Sequence, residues 1–190
     1  MRQKAKEKPC GGCLPFARRL LFFSVVLGSC QTALRAQDIH IKVLNGHDGR
    51  PVTDGCINLS IGSWHGADIV APTNKDGIVV LHLRGSEITA DSACLSGLPS
   101  AGHWPDGVDT ILITSGGKYV DCLPLWKASP QRRPDQTREM NERVRSYSIK
   151  EILQDGVVAE NACGKSKAEA KRGELLFFVR RPNWWEILTR

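Results

Sequence analysis

Gly, Pro, Asn and Asp punctuate residues 38–122 so often that no long amphipathic helix fits between them. The runs they leave are short, β-branched and apolar, which is a strand pattern. Ile39, Ile41 and Val43 alternate with His40, Lys42 and Leu44, predicting a half-buried strand. A turn cluster at 45–51 follows. Ile57, Leu59 and Ile61 then alternate with Cys56, Asn58 and Ser60, and 67–71 predicts a short third strand. Residues 73–77 form a turn whose Gly77 can take positive φ and close a hairpin onto the buried strand that follows. Residues 78–83 are apolar on both faces and read as a central strand, 87–90 as a weaker one, and 91–107 as a long Gly/Pro loop. Residues 110–114 and 118–122, around Ser115-Gly116-Gly117, predict a hairpin. The expected class is all-β, an antiparallel β-sandwich.

The last third changes character. Residues 127–146 carry Pro130, Pro134 and five Arg (132, 133, 138, 143, 145) against Asp135, Glu139 and Glu142. This is a polar linker with a short helix, supported by the Glu139–Arg143 i,i+4 pair. Residues 147–153 read as helix with Gly156 as the stop, 165–173 as a polar loop and 174–180 as a strongly buried strand. Residues 182–188 make a terminal helical turn with Pro early in it. So apolar a last strand completes the sandwich, and 37–190 is expected to be one domain with a short helical C-terminal extension.

The chain has 190 residues and a net charge of +6, which on bulk balance would favour an anionic partner. The charge is not evenly spread. Residues 1–36 hold seven of the 26 bases and one of the 20 acids, leaving 19 of each from Gln37 onward. A basic segment, 2–19, precedes an apolar run, 20–28, in the order of a secretory signal. That run is far below the roughly 20 residues needed to span a bilayer. Two processing points fit, after Ala36 or before Cys30. Leu27-Gly28-Ser29-Cys30 resembles the lipobox of bacterial lipoproteins, which implies acylation of Cys30 and, with Gln31 next, outer-membrane sorting. Both points imply export to the periplasm, the outer membrane or the medium. A nucleic-acid partner loses its support, and a membrane contact is expected only through Cys30 or the signal.

Seven Cys sort along the same line. Cys10-x-x-Cys13 lies in the basic leader with no second ligand pair, so it is a poor metal site. Beyond Cys30, Cys56, Cys94, Cys122 and Cys163 remain, an even number that predicts two disulfides in an exported chain. Three pairings exist, and Cys94–Cys122 with Cys56–Cys163 is the expected one. The alternative makes Cys163 a nucleophile, though no His lies near it in sequence.

Gly49-Arg50-Pro51-Val52-Thr53-Asp54-Gly55 between two strand patterns, then Thr73-Asn74-Lys75-Asp76-Gly77 and a third, resembles the start of transthyretin-like, carboxypeptidase-regulatory-like modules. The resemblance covers about forty-five residues and implies a transthyretin-like or Ig-like β-sandwich with no catalytic role. The chain departs from it in lacking an aromatic after Gly77 and in the insert at 91–107. The mature chain is also similar to a group of bacterial secreted proteins without an established activity. That similarity rests on Gly62-Ser63-Trp64-His65-Gly66, Asn161-Ala162-Cys163-Gly164-Lys165, residues 147–153 and 173–180, and Trp184-Trp185-Glu186.

No nucleophile elbow, Walker loop, dinucleotide fingerprint or HExxH helix occurs, and nothing requires a cofactor. His40 and His82 fall in predicted strands and are candidate cross-sheet neighbours, two ligands short of a zinc site. Asp48, Asp54 and Asp76 fit turn chemistry better than Ca²⁺ binding. Trp64-His65 and His103-Trp104 stand apart, each in a Gly-flanked loop. Trp is enriched in binding hot spots, so converging loops would make an aromatic platform for a protein or a glycan; core capping is the plainer role. Trp184-Trp185 suits either core packing or a membrane interface. The leading expectation is a non-catalytic exported binding module using Trp64, His65, His103 and Trp104. A metal- or thiol-dependent hydrolase built on His40, His82 or Cys163 is the alternative, and a purely structural envelope protein the third.

Overall fold

Alternation from Ile39 onward becomes strand β1 (Gln37–Asn45), which buries Ile39, Ile41 and Val43 and leaves His40 in solvent. The computed structural model describes residues 37–62, 68–94, 99–103, 107–124 and 133–188, and these belong to one compact unit. Residues 1–36, with Cys10, Cys13 and Cys30, lie outside the described residues, as do 127–132 of the expected linker. The strands that follow are β2 (Cys56–Ile61), β3 (Ile69–Pro72), β4 (Ile78–Arg84), β5 (Glu87–Ala90), β6 (Ala101–His103), β7 (Thr110–Gly116) and β8 (Val120–Asp121). Helix α1 (Pro134–Val144), β9 (Ser146–Ser148), helix α2 (Ile149–Gln154), β10 (Val157–Val158), β11 (Glu174–Arg180) and helix α3 (Trp184–Leu188) complete the described chain.

The architecture is mostly β, in two sheets with few helices. One sheet runs β10-β11-β1-β4-β5-β6, with β8 added on β11; the other runs β3-β2-β7-β9. Ile39, Ile41, Val79, Leu81 and Phe177 from the first and Ile57, Leu59, Ile111 and Ile113 from the second share one core. Each is essentially inaccessible to water. A fully buried side chain of this size stabilises the fold by about 1.5–3 kcal/mol, so these positions dominate its stability.

Three connections differ from the sequence expectation. The turn at 73–77 does not close a hairpin: β3 pairs with β2 and β4 with β1, so the turn carries the chain between sheets. Asn74 Oδ1 accepts from the backbone of Asp76 and Ile78, and Gly77 takes φ +73°. A Cβ on Gly77 would lie 2.8 Å from Pro51 Cβ and 3.0 Å from the Val52 nitrogen. Second, β7 and β8 are not hairpin partners. β7 pairs with β2 and β9, while β8 crosses to β11. Asp121 holds that crossing: its carboxylate is almost buried, accepts from Ser115 N at 2.6 Å and pairs with Arg145 at 3.4 Å. Third, the sheets are not wholly antiparallel. β11 pairs in parallel with β1 and with β10. A parallel neighbour needs a long crossover, and here the whole chain between β1 and β11 supplies it. Apolar Leu175–Val179 is buried because strands flank β11 on both sides.

The helical expectations hold with shifted bounds. Pro134 lies in the first turn of α1, whose surface carries Arg143–Glu139 at 3.5 Å and Arg138–Glu142 at 2.9 Å. The expected helix at 147–153 begins only at Ile149. Residues 146–148 pair with β7 instead, and Ser148 then caps α2 by accepting from Glu151 N. Gly156 does stop it, with φ +76°, where a Cβ would lie 2.3 Å from the Lys171 carbonyl oxygen.

Both disulfides form, but not with the expected partners. Cys56 is joined to Cys94 and Cys122 to Cys163. The reason is sheet neighbourhood. Cys94 N donates to Val70 O on β3, the strand beside Cys56 on β2. Ala162 N donates to Cys122 O at 2.6 Å, which brings 163 to 122. Gly46 leaves room for the second bridge: a Cβ there would lie 2.6 Å from Cys122 Sγ. Closing chain segments of 38 and 41 residues, each bridge stabilises the fold by about 4 kcal/mol on chain-entropy grounds. Two such bridges fit an oxidising environment.

Candidate functional site

Of the four side chains expected to form an aromatic platform, Trp64, His65 and Trp104 lie outside the described residues. His103 ends β6, exposed, opposite Glu87 of β5. The residues bracketing the two segments are described, and they meet. Gly62, entering 63–67, packs on Val108, which follows 104–106: a Cβ on Gly62 would lie 2.9 Å from Val108 Cγ1. Asp68, leaving 63–67, packs on Gly102, where a Cβ would lie 3.2 Å from Asp68 Cβ. Main-chain and side-chain bonds fix these roots. Ile61 N donates to Asp68 Oδ2 at 2.6 Å, Asp68 N to Leu59 O at 2.8 Å and Gly62 N to Thr110 O at 2.9 Å. Strands β2, β3, β6 and β7 therefore carry both segments from one end of the core.

His40 and His82 do not form a ligand pair. In the β1–β4 register His40 faces Val80, and the residue opposite His82 is Asp38. His82 Nδ1 lies 2.8 Å from Asp38 Oδ1, and its Nε2 lies 2.7 Å from Asp91 Oδ1. Both nitrogens can donate only in the imidazolium. The hydrogen bonds that His82 donates to Asp91 and then to Asp38 accordingly raise its pKa above the ordinary value. His82 thus ties β1, β4 and the chain after β5 together, with both nitrogens engaged. Among the described residues no group of three or more His, Cys, Asp or Glu is placed to hold a metal ion.

A cavity of about 590 Å³ opens beside α2, lined by Asp38, Asp109, Lys150, Leu153, Gln154 and Arg172 among others. Two of its polar groups, Asp109 and Arg172, hold α2. Asp109 accepts from Ser148 Oγ at 2.6 Å and from Lys150 N at 3.0 Å, and Arg172 Nε donates to Leu153 O at 3.0 Å. Of the three turn carboxylates, Asp48 accepts from Arg50 N, as turn chemistry requires, and Asp76 lies in the Asn74 turn. Asp54 does something else. The Tyr119 hydroxyl donates to it, Lys118 Nζ lies at 3.0 Å and Arg181 at 3.9 Å. The Tyr119 bond and then the Lys118 ammonium lower the Asp54 pKa.

Cys163, the alternative nucleophile, is spent in a disulfide. Asp38 and Asp91 are the partners sequence reasoning missed. Asp38 does share the outward parity of His40 in β1, but only the strand register places it opposite His82. No family model matches the chain, and comparison with curated proteins and with solved structures found no similar one.

Proposed function

We propose that this protein is a non-catalytic binding module of the cell envelope or extracellular space. On this reading it is a transthyretin-like or Ig-like β-sandwich, exported by its basic-apolar leader and carried on a lipid where Cys30 is processed. Its ligand is a protein or glycan engaged by Trp64, His65, His103 and Trp104. The observation that supports it is the meeting of the two loop roots, Gly62 on Val108 and Asp68 on Gly102. A scaffold that holds the two roots together favours recognition at low conformational cost. The disulfide at Cys163 and the engaged nitrogens of His82 weigh against the hydrolase alternative.

The test is a binding screen of the exported protein against insoluble peptidoglycan, immobilised oligosaccharides and solubilised envelope proteins. Trp64→Ala with Trp104→Ala is run beside the parent. Loss of the captured species with unchanged unfolding midpoint supports the platform. Equal capture by parent and variant removes it.

A further inference from the structure

Helix α3 is built the wrong way round for a soluble protein. It buries none of its residues. Trp184, Trp185, Ile187 and Leu188 are 58%, 61%, 61% and 70% exposed. Its one charged residue, Glu186, is instead drawn back to the body of the fold. Arg180, at the end of β11, grips that carboxylate with two bonds of 2.7 and 2.5 Å. A reciprocal cap adds to the grip: Glu186 N donates to Asn183 Oδ1 at 2.9 Å and Asn183 N to Glu186 Oε2 at 2.8 Å. With the charge fixed inward, the apolar side chains at i, i+1, i+3 and i+4 are held outward, and the two indole rings stack at 3.7 Å.

Area and charge decide what such a face fits. Four side chains at these exposures present roughly 500 Å², short of the about 800 Å² per partner that a standard protein interface takes. A second copy or a folded partner is thus poorly served. An isolated apolar patch of this size still marks an interaction site. The surrounding charge is positive. Residues 180–190 hold three Arg and one Glu, and that Glu is neutralised by Arg180. Arg181 and Lys118, 75% and 69% exposed, share the single carboxylate of Asp54. Indole rings favour the headgroup level of a bilayer, and exposed Arg and Lys favour anionic headgroups. A single turn of five residues is about 7 Å long, so it lies in the interface and does not cross it.

We propose that α3 is an interfacial membrane anchor, with Trp184, Trp185, Ile187 and Leu188 entering the headgroup layer of an anionic bilayer and Arg181 and Lys118 meeting its phosphates. The anchor rests on residues other than those of the loop platform.

Co-sedimentation of the exported protein with vesicles tests it. One set is phosphatidylcholine alone, the other phosphatidylcholine and phosphatidylglycerol in equal parts. Parent and variants share the same N-terminus, so any leader or acyl contribution cancels in the comparison. Trp184→Ser with Trp185→Ser is expected to weaken partition roughly tenfold on the mixed vesicles, because binding scales with the apolar area inserted. Arg181→Gln is expected to lose only the preference for the anionic set. Since α3 buries nothing, an unchanged urea midpoint confirms that the variants fold. Equal sedimentation of the Trp variant and parent overturns the anchor. So does a parent that stays in the supernatant with both vesicle sets, or a variant that loses a lipid-free protein partner while its vesicle binding is unchanged.

Discussion

Truncating Phe177 to Ala tests whether the chain beyond the polar linker is integral to the β-sheet core. Phe177 is wholly buried in β11, opposite Val43 of β1 and in a strand that also pairs with β8 and β10. Removing its ring deletes the transfer free energy and leaves a cavity in a sheet that cannot collapse around it. The cost is about 3–5 kcal/mol. With a urea m-value near 2 kcal/mol/M, the midpoint falls by about 2 M. Phe177→Leu keeps most of the volume and should cost about 1.5 kcal/mol or less. Val158→Ala, at a side chain 45% exposed, is the control and should shift little. Equilibrium unfolding, followed in parallel by tryptophan fluorescence and far-UV circular dichroism with the disulfides intact, measures all three. One coincident transition is expected for each. A Phe177→Ala midpoint within about 0.5 M of the control, or two separated transitions, would refute the reasoning.

Gly77→Ala forces an L-residue to φ +73° against the backbone of Val52 and Val43, and should lower stability by about 1–3 kcal/mol in the same urea assay. His82 has its pKa raised above 6.5 in the fold, so its contribution is complete below that unfolded value and is lost as the pH rises through the folded one. The stability difference between parent and His82→Gln should therefore be largest in mild acid and shrink on the alkaline side; a difference flat with pH argues against the two-carboxylate clasp. Tyr147 is buried, its hydroxyl has no hydrogen-bond partner among the described residues, and burial raises its pKa. Tyr147→Phe should leave the melting temperature unchanged or higher, since it removes an unsatisfied polar atom; a clear drop would reveal a bond that the hydroxyl makes.

Period-two alternation was enough to find β1 and β2, whose apolar residues report the buried face directly. The run at 78–83, apolar on both faces, marked β4, which does lie between β1 and β5 but buries only alternate side chains. The apolar run at 174–180 likewise marked a strand with neighbours on both sides. What alternation does not carry is pairing. Nothing local in Thr73–Gly77 separates a hairpin turn from a passage between sheets, and the same holds for Ser115-Gly116-Gly117. Without the strand order, Cys94 could not be set beside Cys56, nor Cys163 beside Cys122. Register was equally silent. It decides that Asp38, not His40, faces His82. The α3 turn shows the reverse. Its capping pattern Asn183-Trp184-Trp185-Glu186 is readable, yet only the Arg180 contact shows that the Trp pair faces outward.

The most direct test of a disulfide-locked, exported β domain is a non-reducing peptide map with the intact mass of the protein recovered from its producing cell. The expected result is a Cys56 peptide joined to a Cys94 peptide and a Cys122 peptide joined to a Cys163 peptide, on a chain beginning at Gln37 or at an acylated Cys30. Cross-links Cys94–Cys122 or Cys56–Cys163, or four free thiols on a chain that keeps residues 1–29, would contradict it.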